Sequence, residues 1–302
     1  MCAQIIRSSL LITLITASIS LTAQSQKKIG DDDKDLVTQR QNEVRSYLRQ
    51  ANRLVESRRF EEAVAIYLQS LRLDANIAAV HNNLGHAYTQ LRRLEEAASC
   101  FERAVALEPR NALYRYNLGN TRLQLHDLDK AIEHLTKAIE LKSDDLQALN
   151  DLGNAYAERN ENDTAILLFK RVIRLDGNFA IAYNNLGTAY YQLQRFKEAR
   201  DNFRKAHAIS GDSAQLLYNL GAAQFSLKRY ANALESFKAA LSLTPNDPRA
   251  LYGLGMAYLG LKNRDASLQQ YSMLKSLNPP LADKLYHAIH SRHLIEVETM
   301  NK

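Results

Sequence analysis

The residues able to do chemistry in this sequence are a few histidines, one internal cysteine and a recurring set of asparagines. His81 and His86 lie five apart, and His287, His290 and His293 follow at three-residue intervals. The latter trio could line a helix face and take a transition metal, but no acidic or thiol ligand is fixed beside it. Solvated histidines are therefore expected, and no metal. Cys100 has Arg103 at i+3, which would lower its pKa, yet no histidine partner is placed for nucleophilic chemistry, so it reads as a bystander. The Leu-Gly-Asn and Leu-Gly-Thr segments do not form a phosphate-binding loop. Asn162-Asp163-Thr164 is a formal glycosylation acceptor, expected in a loop. No catalytic residue and no cofactor is predicted.

The asparagines behave differently because they recur. Asn83, Asn117, Asp151, Asn185 and Asn219 are 34 residues apart, and Tyr116, Asn150, Asn184, Tyr218 and Tyr252 form a row beside them. A third row holds His86, Asn120, Asn154 and Thr188. An amide offers both a donor and an acceptor, so it can pair with the backbone of an extended peptide whatever its side chains.

Those rows require helices that return every 34 residues. Leu73, Leu107, Leu141, Leu175, Ile209, Leu243 and Leu277 keep that spacing. So do the small residues Ala51, Gly85, Gly119, Gly153, Gly187, Gly221 and Gly255, and the series Ala63, Ala97, Ala131, Ala165, Ala199, Ala233 and Ser267. Within residues 78–111, Leu84, Gly85 and Tyr88 fall on a first helix. Ala97, Phe101 and Ala104, at i, i+4 and i+7, make the apolar stripe of a second. Gly85 and Ala97 let the two axes approach, and Tyr88 and Phe101 fill the volume around the crossing. The turn is Leu91-Arg92-Arg93-Leu94, and Glu95 and Glu96 suit the positive end of the helix that follows. Pro109, Pro245 and Pro279 close units, and Asp144, Asn178, Asp212 and Asn246 are candidate caps for the next helix.

One hairpin cannot bury both its stripes, so stacking is required for stability. The units are 44–77, 78–111, 112–145, 146–179, 180–213, 214–247 and 248–281, and a final helix from Leu281 to His290 caps the array through Leu285 and Ile289. With 46% hydrophobic residues, five prolines and a net charge of +6, the composition is helical and only mildly basic. No block of cations stands out, which argues against nucleic-acid binding.

The start of the chain reads separately. Arg7 precedes an apolar run from Leu10 to Leu21, and small residues lead up to Ala23, the pattern of a signal peptide at 1–23. An uncleaved membrane anchor is the alternative. Residues 24–43 read as a polar spacer, flexible between Gln24 and Asp35, and the start of the first helix. Removal of the leader takes Cys2 with it, leaving Cys100 alone and no disulfide.

The Leu84-Gly85, Tyr88, Ala97, Phe101, Ala104 and Pro109 pattern, and its echo in Leu186-Gly187, Tyr190, Ala199, Phe203 and Ala206, resembles the tetratricopeptide repeat. Arg122 and Gln224 depart from its tyrosine. The resemblance covers residues 44–281. It implies an all-α fold, a right-handed solenoid of antiparallel helix hairpins with seven repeats plus a C-terminal capping helix. It also implies that first helices face a concave groove, which Asn82, Asn83, His86 and Thr89 and the three rows above would line. The asparagine rows are similar to those in the repeat superhelix of O-linked N-acetylglucosamine transferases, which implies backbone contacts to protein segments. Residues 282–302 are too few for the sugar-transferring domain of those enzymes. Ala79, Leu113, Gln147 and Ile181 stand where a groove for a carboxyl-terminal tail would need paired cations.

The expected function is thus a non-catalytic scaffold binding an extended peptide or partner protein, exported to the bacterial envelope, with neither nucleic acid nor a small-molecule substrate as partner. Membrane association is expected only through an uncleaved N-terminal segment. The alternatives are a structural subunit that uses its convex or terminal faces, or an adaptor of a secretion or envelope-maintenance system. Intact-mass measurement of the protein recovered from its native compartment is expected to give a chain starting near Gln24; a chain retaining residues 1–23 would show the anchor instead.

Overall fold

The computed structural model describes residues 31–300, and the apolar leader, Cys2 and residues 24–30 lie outside them. Among the described residues there is no strand, only helices: α1 (Asp31–Glu56), α2 (Phe60–Leu73), α3 (Ala78–Gln90), α4 (Leu94–Leu107), α5 (Ala112–Gln124), α6 (Leu128–Leu141), α7 (Leu146–Glu158), α8 (Asn162–Leu175), α9 (Ala180–Gln192), α10 (Phe196–Ser210), α11 (Ala214–Ser226), α12 (Tyr230–Leu243), α13 (Pro248–Gly260), α14 (Arg264–Leu277) and α15 (Pro279–Met300). Two corrections follow at the ends. Residues 31–35, read as part of a flexible spacer, are helical, and the last helix runs on to Met300 rather than stopping at His290.

The chain divides into two compact units, one up to Ser143 and one from Asp144. In the first, α1 pairs with α2, α3 with α4 and α5 with α6, and each second helix packs on the first helix that follows. The second unit repeats this with α7 to α14, and α15 lies against both α13 and α14.

What brings the helices of a pair together is a missing side chain. A methyl group on Gly85 would stand 2.7 Å from the Phe101 ring, on Gly153 2.6 Å from Phe169, and on Gly187 2.7 Å from Phe203. Those rings are almost wholly buried, so each sits directly on bare backbone and close packing leaves no room for adjustment. In the third hairpin Leu135 takes the ring's place against Gly119. In the seventh, Gly255 is covered by Leu285 of α15. Leu285, Ala282 and Ile289 are buried, so the final helix substitutes for the next repeat.

The hairpin turns rest on a feature with no glycine signature. Arg58, Arg92, His126, Asn160, Gln194, Lys228 and Lys262, again 34 apart, all have φ between 57° and 63°. The N–H that follows each one reaches back five residues, as Arg93 to the Tyr88 carbonyl at 2.9 Å and Arg195 to the Tyr190 carbonyl at 2.9 Å. This closes the first helix with a left-handed residue in the manner usually filled by glycine. A side chain there costs on the order of 1 kcal/mol, which the tertiary crossing must offset. Arg93 also pairs with Glu96 and lies 4.6 Å over the Tyr88 ring, and Arg195 repeats both contacts with Glu198 and Tyr190.

Of the four expected caps, those at Asp144 and Asn246 are displaced by one residue, and those at Asn178 and Asp212 are absent, since α9 and α11 start from Phe179 and Ser213 with no side-chain cap. Asn111 accepts from the Leu113 and Tyr114 N–H groups, Asp145 from Ala148 and Asp247 from Arg249, whereas the residues before them do not cap. Asp144, Asn178, Asp212 and Asn246 precede the position whose extended backbone aims a side chain at the helix start. Asp212 instead meets His207 at 2.7 Å. Asn162, placed in a loop by the sequence reading, is the first residue of α8 and is 8% exposed, so its amide is shielded from a glycosylating enzyme.

Gly187→Ala is expected to lower stability by about 1–3 kcal/mol in urea unfolding, because Phe203 cannot retreat. Gly177→Ala, where nothing lies within 4 Å, should leave it unchanged within error. Equal effects at the two positions would remove the crossing from the account.

Candidate functional site

Within each unit the asparagines of neighbouring first helices meet, and they are more occupied than the spacing suggested. Asn117 donates through Nδ2 to Asn82 Oδ1 at 2.7 Å and to His86 Nε2 at 3.1 Å. In the second unit Asn185 does the same, to Asn150 Oδ1 at 3.0 Å and Asn154 Oδ1 at 2.9 Å. The geometry has a simple origin. Residues 82 and 86, or 150 and 154, are one helical turn apart on one face, and an NH2 group has two hydrogens. One amide therefore bridges two positions on the preceding first helix. Asn219 reaches Asn184 at 3.1 Å, and Asn83 reaches Asn52 at 3.3 Å.

Neighbouring amides on one helix complete the chain. Asn184 donates to Asn185 and Asn150 to Asp151, each at 3.4 Å, and Asn82 donates to Asn83 at 3.2 Å. In the second unit Arg249 donates to Gln215 at 2.9 Å and Gln215 to Asn219 at 2.8 Å. A single run of side chains thus passes from Arg249 through Gln215, Asn219, Asn184, Asn185 and Asn150 to Asp151. In the first unit the run is Asn117, Asn82, Asn83 and Asn52, ending on Tyr67, whose hydroxyl donates to Asn52 at 2.6 Å. Burial holds the Tyr67 hydroxyl well above the usual phenol range.

This corrects the expectation that these amides simply face the groove. Asn82, Asn117 and Asn150 are 2%, 6% and 5% exposed, because adjacent first helices approach closely enough for their amides to meet without water. Asn83, Tyr116, Asn120, Asp151, Asn154, Asn184, Asn185, Tyr218, Asn219 and Tyr252 are half-buried, and His86 and Thr188 are exposed. His86 stands edge-on to Phe101 at 5.4 Å, and the mass of chain around it lowers its imidazole from the usual value even though one side meets solvent. Tyr218 is committed to packing, with Phe237 5.8 Å away and Arg249 5.0 Å over its ring. Burial raises its phenol. Thr89 turns its hydroxyl back to the Gly85 carbonyl at 3.0 Å.

Asn52 and Gln215 were not singled out from sequence. Asn52 stands one period before His86, so extending the third row backwards would have found it, and Gln215 lies one helical turn before Asn219. The two departures from the repeat tyrosine are accommodated differently. Arg122 pairs with Glu102 and with Asp127 at 3.6 Å, while Gln224 accepts from Ser236 at 2.8 Å in the interior.

The other candidates do not assemble. Arg103, expected to lower the Cys100 pKa, is bonded to Asn76 at 2.9 Å. Burial, with Glu96 nearby, pushes the thiol up to about 11. His290 bonds the Tyr286 carbonyl at 2.8 Å and stacks on its ring at 3.9 Å, while His287 is exposed and the side chain of His293 lies outside the described residues.

Comparison with known proteins agrees with this architecture. Models described as tetratricopeptide or TPR repeats match residues 48–112, 83–145, 153–194, 178–246 and 224–292. The sequence matches none of the curated proteins compared with it. Among solved structures it is similar to MamA, with 26% identity over 54% of this chain and 90% of that one at a TM-score of 0.51. It is also similar to the TPR protein YrrB, with 23% identity, coverage of 61% and 96%, and a TM-score of 0.53. A tetratricopeptide repeat protein from Parabacteroides merdae shares the fold over 82% of this chain and 99% of its own at 13% identity and a TM-score of 0.64. Helix pairs closed on a small residue every 34 positions, together with family models that span residues 48–145 and 153–292, place this chain in the tetratricopeptide repeat family.

Proposed function

We propose that this protein is an exported scaffold that holds an extended segment of another protein along its first helices. Tetratricopeptide repeats generally mediate protein–protein interaction and are typically non-catalytic. The observation that carries the finer reading is the amide run of the second unit, from Gln215 to Asp151. Its members orient one another, so the reachable oxygens of Asn154, Asn184 and Asn185 are fixed before a ligand arrives, and little ordering cost remains for binding. An amide oxygen that accepts one hydrogen bond still has a second lone pair for a peptide N–H. Beside the run, Ile181 is 59% exposed and Thr188 is exposed, which gives the surface an apolar contact. YrrB, of similar fold, is described as having an unusual peptide-binding site. The apolar run at Leu10 to Leu21 supports export.

Mutual pairing also favours a second role for the same amides, as bonds between successive hairpins. The two roles separate by experiment. Asn117→Ala and Asn185→Ala should each lower unfolding stability by about 1–3 kcal/mol, the net value of the two hydrogen bonds lost; no change in urea midpoint would remove the bridging role. Ile181→Glu combined with Thr188→Arg alters only exposed positions. It should leave the urea midpoint intact while abolishing recovery of partner proteins from envelope extract. Undiminished recovery of the same partners would move binding off the first helices.

A further inference from the structure

No block of basic residues is visible in the linear sequence, yet folding gathers one on the second helices of the fourth and fifth hairpins. On α8, Leu167, Lys170, Arg171 and Arg174 stand at i, i+3, i+4 and i+7, which puts them on one face. One period later Asp201, Arg204, Lys205 and Ala208 hold the same positions on α10. Both helices pack against α9. Lys170 leans over Tyr190 of α9 at 5.7 Å and Lys205 over Tyr183 at 5.5 Å.

Across α8 and α10 seven cations stand against three acids. Two of those acids are paired, Glu198 with Arg195 and Asp201 with Arg200, the latter itself one of the seven cations. The excess is local. The same register holds Glu235, Lys238, Ala239 and Ser242 on α12, and Gln269, Ser272, Met273 and Ser276 on α14. Amid the cations Leu167 is 67% exposed, more than any other large apolar side chain among the described residues.

We propose that the α8 and α10 face is a peripheral docking surface for an anionic phospholipid bilayer. Lysines and arginines on flexible stems gain from a negatively charged headgroup layer, each by roughly the same increment. A projecting leucine gains by entering the boundary between headgroups and acyl chains. A nucleic-acid backbone would satisfy the cations and leave Leu167 in water. No helix among the described residues is long and apolar enough to cross a membrane, so this contact is superficial, and it does not require the N-terminal apolar run. It uses second helices, so it stands independently of the amide run on the first helices.

The test is co-sedimentation of the full-length protein with vesicles of phosphatidylcholine alone or mixed with phosphatidylglycerol, the neutral vesicles reporting any contribution from the N-terminal run. Partitioning should be stronger onto the anionic vesicles and fall with salt. Lys170→Gln/Arg174→Gln/Arg204→Gln should lose about fivefold per charge, roughly a hundredfold together. The charge-matched Lys238→Gln/Lys275→Gln/Lys284→Gln should retain most of the preference, and Leu167→Ser should weaken what binding survives in high salt. Equal partitioning onto both vesicle types would overturn the proposal. So would an equal loss in the two triple variants, or capture by polyglutamate or duplex DNA with no capture by anionic vesicles.

Discussion

Everything else in this fold depends on the contact between a backbone without a side chain and the ring of the partner helix. Where Phe101 lies on Gly85, Phe169 on Gly153 and Phe203 on Gly187, the two helix axes come close enough to exclude water, and the crossing repeats at the period of the sequence. A hairpin closed in this way still has an apolar flank, which a neighbouring element must cover. The array ends where something else does the covering: Leu285 of the last helix lies over Gly255, where a ring occupies the equivalent place in most other hairpins. The left-handed residues at the hairpin turns are tolerated for the same reason. Their modest strain is small beside the burial that the crossing secures.

Close approach of the hairpins has a second consequence on the first helices. Amides that would be costly to bury alone become inexpensive when they meet each other, since an unpaired buried polar group is what carries the penalty. Asn117 and Asn185 each bridge two residues one helical turn apart on the preceding first helix. In the proposed reading the same asparagines join repeats and present oriented oxygens to a ligand. A surface ordered by its own hydrogen bonds is well suited to an extended backbone, whose demand is for polar groups at fixed positions rather than for any particular side-chain pocket.

The second helices show how a modest overall charge becomes a local field. The net charge of +6 is spread thinly along the sequence, but positions three, four and seven apart converge on one face of a helix, and a repeat places the next helix in the same register. Leu175, Ile209, Leu243 and Leu277, which helped to establish the period, end second helices and remain 49%, 38%, 49% and 40% exposed. Periodicity alone therefore does not separate core from surface.

Helix class, the 34-residue period, the small-against-large crossing at Gly85 and Phe101, and the alignment of the asparagines were all legible in the residues, because each is a matter of side-chain volume or polarity at a fixed spacing. Tertiary structure decided what those residues do once neighbours arrive. It buried Asn82 against Asn117 and Asn150 against Asn185, moved caps to Asn111, Asp145 and Asp247, and drew Asn162 into the interior. It also turned Arg103 toward Asn76 and away from any activating role at Cys100, and it set Arg92 and Lys228 in a left-handed conformation that no glycine announces. Each of these outcomes depends on distances of a few ångströms between segments about one repeat apart or on one dihedral angle at a turn, and neither quantity is written in the order of the residues.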